Sequence, residues 1–560
     1  MRKILKKTNL LGVMLLAFIS CSDFEEININ PTAASEDQVQ TEYFINSSIG
    51  GAQQNPHISE RIFVLYWDDA GRMTRVGTLS EGGSNDGWTS DYYNGYVSSW
   101  LRNINAGIEI ADKQIASGNF REHTPNLKQV ARIWRAYIMS EMTDNFGAIP
   151  INGFQGVNPE YSNVKEVYYY MLKELTEATS ALDLSVSNPG NALKKLDPAY
   201  EYDFAKWQKY GNSLRMRLAM RLSQVDPAKA QSEFESAVGN AYIKDAADNF
   251  KVKETAGWSD YTAYDLFKIP GDFNDPEFNS YPSWNSNATI TKRNLVDASD
   301  NVIKEIEAAF TWNAYAAGNW GDKGSKNKVY GHTGTLPRLA NKYRNNSNSR
   351  IFFASWESHF LIAEAAVRGW DVPMSGQMAY EQGINQSFAY NGVSSHLGAY
   401  LTSQAYSRVG TSVSWTHTTE PASTVAVTYL DGYTNVAGVM NLKYPKNTIY
   451  KNGTVKNDLL TKIITQKFIA QTPWLPLETW SDHRRLGLPF FENPAVETPL
   501  TNMPQLTNAN FMTNNVNFYG QRLKYPSNFS SNIPGGYQQA VDKLGGEDTV
   551  FTPLWWAQQN

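Results

Sequence analysis

The sequence predicts a mainly α-helical protein: a tetratricopeptide-like scaffold of helix pairs stacked into a superhelix, with long loop-rich insertions forming the ligand face. Three observations lead there. Apolar residues recur at spacings of three and four through two parts of the chain, about 41–250 and 351–490, which lays apolar stripes along helices. Small residues such as Ala363, Ala365 and Ala366 stand where paired helices would touch. Three segments, about 251–350, 392–456 and 491–560, break the periodicity and are dense in Asn, Gly, Pro, Ser, Tyr and Trp. The strict tetratricopeptide letter pattern is absent, so the prediction concerns architecture and not that repeat family.

The first element is not part of the scaffold. Residues 1–20 have the layout of a secretory signal peptide: Arg2, Lys3, Lys6 and Lys7, an uncharged apolar run from Leu10 to Ile19, then Ser20. That run is too short to cross a bilayer, which takes about 20 apolar residues. Cys21 follows directly and is the only cysteine, so no intrachain disulfide can form. Its position resembles a bacterial lipobox, in which this cysteine is lipidated and becomes the mature N-terminus. Residues 21–40 then read as a tether, acidic at Asp23, Glu25 and Glu26 and broken by Pro31.

Residues 41–560 read as a single body, because no Gly/Ser linker divides them. From Tyr93, the positions Val97, Leu101, Ile104, Ile108, Ala111 and Ile115 form one helical stripe. Leu127, Val130 and Trp134 start the next, Val164, Tyr168, Met171, Leu175 and Ala178 a third, and Trp207, Tyr210, Leu214, Leu218 and Leu222 a fourth. The later cluster holds Trp356, Phe360, Ala363 and Val367, a helix near Gln377 to Tyr390, and another beginning at Leu460, Ile464 and Phe468.

Charge and motif content narrow the function. Without residues 1–20 the chain carries 46 basic against 55 acidic side chains, a formal charge of −9, which argues against nucleic acid as a partner. The seven histidines form no His-x-x-x-His pair, and no second cysteine is available for zinc. There is no Gly-x-Ser-x-Gly elbow and no phosphate-cradling Gly-x-x-x-x-Gly-Lys loop. Glu357 and Glu364 lie seven residues apart on one helix face, so a pair of catalytic carboxylates is one reading. Buried ion pairs with partners such as Arg484 and Arg485 are the other, and the favoured one. Arg215, Arg217 and Arg221 read as clamps on carboxylates and helix C-termini. Aromatic residues make up 13% of the chain, with 16 Trp and 31 Tyr, enough to supply both a core and a ring-lined ligand face.

Several stretches carry a resemblance to a known family. They are TDNFGAIP at 143–150, Trp207 with NSLRMRLAMR at 212–221, WESHFLIAEAAVRG at 356–369, ITQKFIA at 464–470, WSDHRRLGLP at 480–489 and RLKYP at 522–526. Together they resemble the SusD/RagB family across nearly the whole mature chain. The resemblance implies a lipoprotein of a Bacteroidetes-type outer membrane, anchored through Cys21 and facing the cell exterior; the run Ser22 to Glu26 is similar to the export signal of such lipoproteins. It implies a binding protein and not an enzyme, which takes nutrient oligosaccharides and passes them to a SusC-like TonB-dependent transporter. Two alternatives stay open: peptide ligands on the same scaffold, as in the RagB branch, or a surface adhesin without import. No cofactor is expected beyond the lipid, and nothing indicates calcium.

In better-known members of that family, a glycan-binding aromatic and nearby polar residues come from the region before the first long helix and from a middle loop. Here that implies Asp68, Arg72 and Trp88, with Trp284, Trp312 and Trp320. Trp88 stands among Gly82, Gly83 and Gly87, where an exposed ring could stack on a sugar face. Tyr93 lies on the apolar stripe and Trp100 beside it, so both read as core.

Overall fold

The computed structural model describes residues 39–54, 59–68, 70–71, 85–152, 160–187, 189–252, 292–296, 302–307, 349–406, 410–430, 437–443, 455–472, 474–490 and 520–558. Helix α1 (Thr41–Gln54) is followed by a π-helical segment, Ser59–Asp68. Helix α2 (Asp86–Gly95) runs through a π turn at Tyr96–Leu101 into α3 (Arg102–Ser117), and Gly118 ends it with φ +73°. Next come α4 (Thr124–Phe146), α5 (Val164–Ala181), α6 (Phe204–Arg221) and α7 (Pro227–Val238). The second group holds α8 (Ser355–Val367), α9 (Gly376–Asn391), α10 (Leu459–Gln471) and α11 (Pro476–Leu486), and α12 (Ser527–Asn532) and α13 (Pro534–Leu544) close the chain.

Local chemistry fixes these boundaries. Asn163 and Glu166 form a capping box on α5, and Asp203, Asp226, Ser375 and Asp458 each accept a backbone N–H from the first turn of their helix. Proline opens α7, α11 and α13, where its missing N–H costs nothing. Sequential helices pack side by side, α3 on α4, α4 on α5, α5 on α6 and α6 on α7, then α8 on α9 and on α10. Contact of α6 with α8 joins the two groups. The predicted helix-pair stacking is what forms.

Some boundaries differ from the sequence reading. The stripe that begins at Tyr93 belongs to a helix already started at Asp86, and its π turn seats the Trp100 ring between two glycines. A Cβ at Gly51 or Gly95 would stand 2.9 Å from that ring. A short antiparallel pair joins β1 (Ile149–Pro150) to β2 (Tyr161–Ser162). The segment 392–456 is not wholly loop: β7 (Thr424–Leu430) pairs antiparallel with β8 (Ala437–Lys443). Within 251–350, β4 (Lys292–Val296) pairs with β5 (Val302–Glu307), and at the borders of that segment β3 (Phe250–Val252) pairs with β6 (Arg350–Phe353). Within 491–560, α12 and α13 stand where loop is predicted, with Phe529, Ala540 and Leu544 buried on their inner faces. Each exception is a short element whose apolar pattern spans too few residues to stand out from Gly, Asn and Ser neighbours.

The core is aromatic and also ionic. Tyr93, Trp100, Trp134, Trp207 and Trp356 are all buried, the first two as predicted. Through the middle runs a belt of buried charges, and it absorbs most of the family stretches. Arg217 clasps Glu357 with Nε and Nη2 at 2.7 and 2.6 Å, and Arg485 clasps Glu364 at 2.6 and 2.9 Å. Arg221 donates to Glu478 at 2.7 Å, Arg215 to Glu233 at 2.6 Å, and Lys467 pairs with Asp482 at 2.7 Å. Burial pushes the Glu364 carboxyl up, but Arg485 and Arg368 outweigh that and hold it at about 2. The two glutamates are thus structural, as favoured, although Glu357 pairs with Arg217 and Arg484 pairs with neither. Arg484 instead lies 3.7 Å from the Trp480 ring and donates to the Asp144 carbonyl at 2.6 Å.

Helix C-termini are clamped, but not by the arginines of α6. Arg522 donates to the Phe146 carbonyl at 2.8 and 3.0 Å and, with Arg484, satisfies the end of α4. The turn that follows needs Gly147, whose φ is +97° and whose Cβ would lie 2.5 Å from Leu544.

Candidate functional site

The first turn of α2 is the best-defined part of the predicted ligand region. Asn85, extended at φ −110° and ψ 114°, caps the helix by accepting the Trp88 N–H at 3.2 Å. Tyr66, fully buried on the π-helical segment, accepts the Asn85 N–H at 2.7 Å and donates to its carbonyl at 3.3 Å. The same ring backs Trp88, with centroids 5.7 Å apart. From the far end of the chain, Ser527 gives its backbone N–H and hydroxyl to Asp86 at 2.7 and 2.6 Å, and Asn528 donates to Ser90 at 2.7 Å.

One turn further on, α2 is bolted to the core. Tyr92 donates to Glu141 at 2.7 Å, and Tyr137 donates to the other oxygen of that carboxylate at 2.6 Å. Burial and then the Glu141 charge push the Tyr92 hydroxyl pKa well up, so it stays a donor. Trp88 is therefore a half-buried ring on a rigid mount. A sugar face stacks on such a ring without having to order it first.

The other predicted residues separate into two groups. Asp68 ends the π-helical segment with no exposed surface. Beside it, the Trp67 indole donates to Asn145 at 2.8 Å. Arg72, Trp284, Trp312, Trp320 and the lipidation candidate Cys21 lie outside the described residues.

Two concave sites escaped the sequence reading. One, of about 680 Å³, lies beside the start of α1, between Val39 and the last turns of α3 at Lys113 and Gln114, with Phe120 and Arg121 on its edge. The other, of about 290 Å³, lies between the C-terminal part of α2 and α12, walled by Tyr93, Tyr161 and Phe529. No local pattern marks either, since each is assembled from segments far apart in the chain. Among the described residues, no group of three or more His, Cys, Asp or Glu side chains is placed to hold a metal ion. No described helix is long and apolar enough to cross a membrane.

Comparison with known proteins agrees with this architecture. No curated protein matches the chain. Among solved structures it is similar to a SusD homologue from Parabacteroides distasonis, at 23% identity and TM-score 0.66, covering 93% of this chain and 99% of that one. A chitin-binding SusD homologue from Flavobacterium johnsoniae follows at 22% identity and TM-score 0.64 with the same coverage. A SusD homologue from Bacteroides uniformis is 22% identical with TM-score 0.61, again over 93% and 99% of the two chains. The sequence profile of the SusD-like family, described as SusD and RagB outer membrane lipoproteins, matches residues 52–557. With nearly the whole folded body covered, this chain belongs to the SusD-like family of outer membrane lipoproteins.

Proposed function

We propose that this protein is a cell-surface lipoprotein, anchored through a lipid on Cys21, that binds nutrient oligosaccharides and delivers them to a SusC-like TonB-dependent transporter. The observation that carries the reading is the mount of Trp88: a half-buried indole backed by Tyr66 and fixed at both ends of the chain, in a body that belongs to this family. Ring stacking plus a few polar groups gives binding without covalent chemistry. The carboxylates most suggestive of catalysis, Glu357 and Glu364, are committed to buried arginines, which supports a binding protein over a hydrolase. The similar protein from Flavobacterium johnsoniae is a chitin-binding SusD homologue, which supports a glycan ligand here.

Calorimetric titration of the protein from Ser22 onward against oligosaccharides and mixed peptides tests the reading. Glycan binding with dissociation constants from about millimolar to micromolar, roughly −4 to −8 kcal/mol, is expected. Peptide binding alone would move the protein to the RagB-like reading. Turnover of any glycan by the purified protein would refute the absence of catalysis. Failure to co-purify with an outer-membrane transporter from native membranes would refute delivery and leave an adhesin.

A further inference from the structure

The 680 Å³ groove beside the start of α1 is within reach of a ligand along its whole wall, because every described residue that lines it is exposed or half-buried. Ala106, Ile110, Gln114 and Ser117 follow one another at helical spacing and form the side that belongs to α3. Val39 and Gln40 form the side opposite, and Asn119 to Arg121 close one end. Phe120 leaves 44% of its surface to solvent there, so its ring offers an apolar face at the mouth.

The polar groups around that ring are held in place and only partly used. Arg121 donates to Glu42, which has no exposed surface, at 2.7 Å, while 36% of the arginine side chain stays exposed. A guanidinium has five N–H donors, so this pair fixes the group and leaves donors for a ligand. Gln114 gives its amide N–H to the Val39 carbonyl at 3.2 Å, which leaves its side-chain oxygen as an acceptor. Asn119 adds an exposed amide at the same end as Phe120.

These features set the class of ligand. The lining charges are balanced, since Lys113 stands 3.3 Å from Glu109 and Arg121 is matched by Glu42. A neutral molecule rich in hydroxyls fits such a wall, because hydroxyls both donate and accept, and an exposed ring stacks on the C–H face of a sugar. The volume lies in the middle of the roughly 300–1,000 Å³ of small-molecule sites, room for about two or three sugar units. An extended peptide finds less to hold. Strand addition needs an open strand edge, whereas here the Val39 carbonyl is taken by Gln114 and the opposite side is the flank of a helix. Helix runs without a break from Asp86 to Ser117, which puts Gln114 about 40 Å along it from Trp88. The groove is separate from the Trp88 face.

We propose that this groove is a second glycan site, for a neutral stretch of about two or three sugar units, with the Phe120 ring stacked on one unit and Arg121, Gln114 and Asn119 bonding the hydroxyls. It rests on the glycan reading above and extends it. A polymer long enough to reach both sites is held at two points, so release from one leaves it tethered by the other.

Calorimetric titration of the protein from Ser22 onward with maltotriose, cellotriose and xylotriose, repeated on Trp88→Ala, tests it. At least one trisaccharide should still bind Trp88→Ala in the millimolar range. In that background Phe120→Ala, and Ser117→Trp, whose indole would fill the groove, should each weaken binding at least tenfold with the thermal midpoint unchanged, since both positions are exposed. Trigalacturonic acid, an anionic trisaccharide, should bind at least tenfold more weakly than the best neutral one. Loss of all binding in Trp88→Ala, where the wild-type protein still binds, would overturn this site and leave the glycan reading standing; no binding by the wild-type protein would overturn both. Full binding by Phe120→Ala or Ser117→Trp, or equal binding of trigalacturonic acid, would also overturn the assignment.

Discussion

Removing Arg217 should cost more than removing almost any surface charge, and the structure says why. Its guanidinium holds both oxygens of Glu357, which has no exposed surface, and Nη2 also donates to the Phe352 carbonyl at 2.7 Å. That carbonyl lies in β6 opposite the irregularity between Phe250 and Lys251, where the strand register shifts. Arg217→Met keeps the aliphatic stem but strands a buried carboxylate, a loss of about 3–5 kcal/mol, to which the unpaired carbonyl adds about 1 kcal/mol. For a body of this length the unfolding entropy is about 1 kcal/mol/K, so the thermal midpoint should fall by about 4–6 °C. Replacing both partners, Arg217→Met with Glu357→Leu, should recover much of that loss, because it removes the stranded carboxylate, while Glu478, which also lies 3.5 Å from Arg217 Nε, keeps its bond from Arg221. Scanning calorimetry and urea unfolding of the two single variants and the double variant measure the cycle. A single-variant loss below about 1 °C, or a double variant as unstable as the sum of the singles, would refute the claim that this pair is a coupled buried ion pair.

Three further outcomes are expected. Trp88→Ala should weaken oligosaccharide binding with little change in thermal midpoint, whereas Trp100→Ala, which empties a space between Gly51 and Gly95, should cost about 3–5 kcal/mol by denaturant unfolding; the reverse pattern would show the two rings to be wrongly assigned. Glu364, held at about 2 in the folded state against 4.5 ordinarily, stabilises the fold above pH 4.5 and loses that contribution as pH falls toward 2. The stability difference between wild type and Glu364→Gln should therefore shrink between pH 5 and pH 2, and a constant difference in pH-dependent melting would disprove the assignment. Cys21→Ala should abolish labelling by a radioactive fatty-acid precursor and release the protein from the membrane fraction, and persistent labelling would exclude the lipobox.

The helical frame was legible because its signal is local. Stripes such as Leu214, Leu218 and Leu222 repeat every turn, and Trp100 beside one of them is core as read. The β7–β8 hairpin and α13 were missed, since seven- and eleven-residue elements amid Gly, Asn and Pro carry too few periods to register. Of the candidate ligand residues, Trp88 and Asp68 lie among the described residues, the first half-buried and the second wholly buried. Asp68 is implied by the same resemblance as Trp88. Its neighbour Trp67 donates to Asn145, 78 residues away, a contact that no spacing rule contains. The pairing of Arg217 with Glu357 spans 140 positions and was equally hidden, although the need of each charge for some partner was not.

The reach of Asp144 has a consequence for how the chain matures. Its carboxylate accepts from Tyr168 at 2.5 Å and from the Trp556 indole at 2.9 Å, a partner 412 positions downstream. The carbonyls at the end of the same helix wait for Arg484 and Arg522. Until those residues arrive, α4 presents a buried acid and unpaired carbonyls to an unfinished interior. Contacts of such long range form late and slowly. The frame therefore closes only once almost the entire polypeptide is available, and the interior at the end of α4 stays unfinished until Trp556 docks.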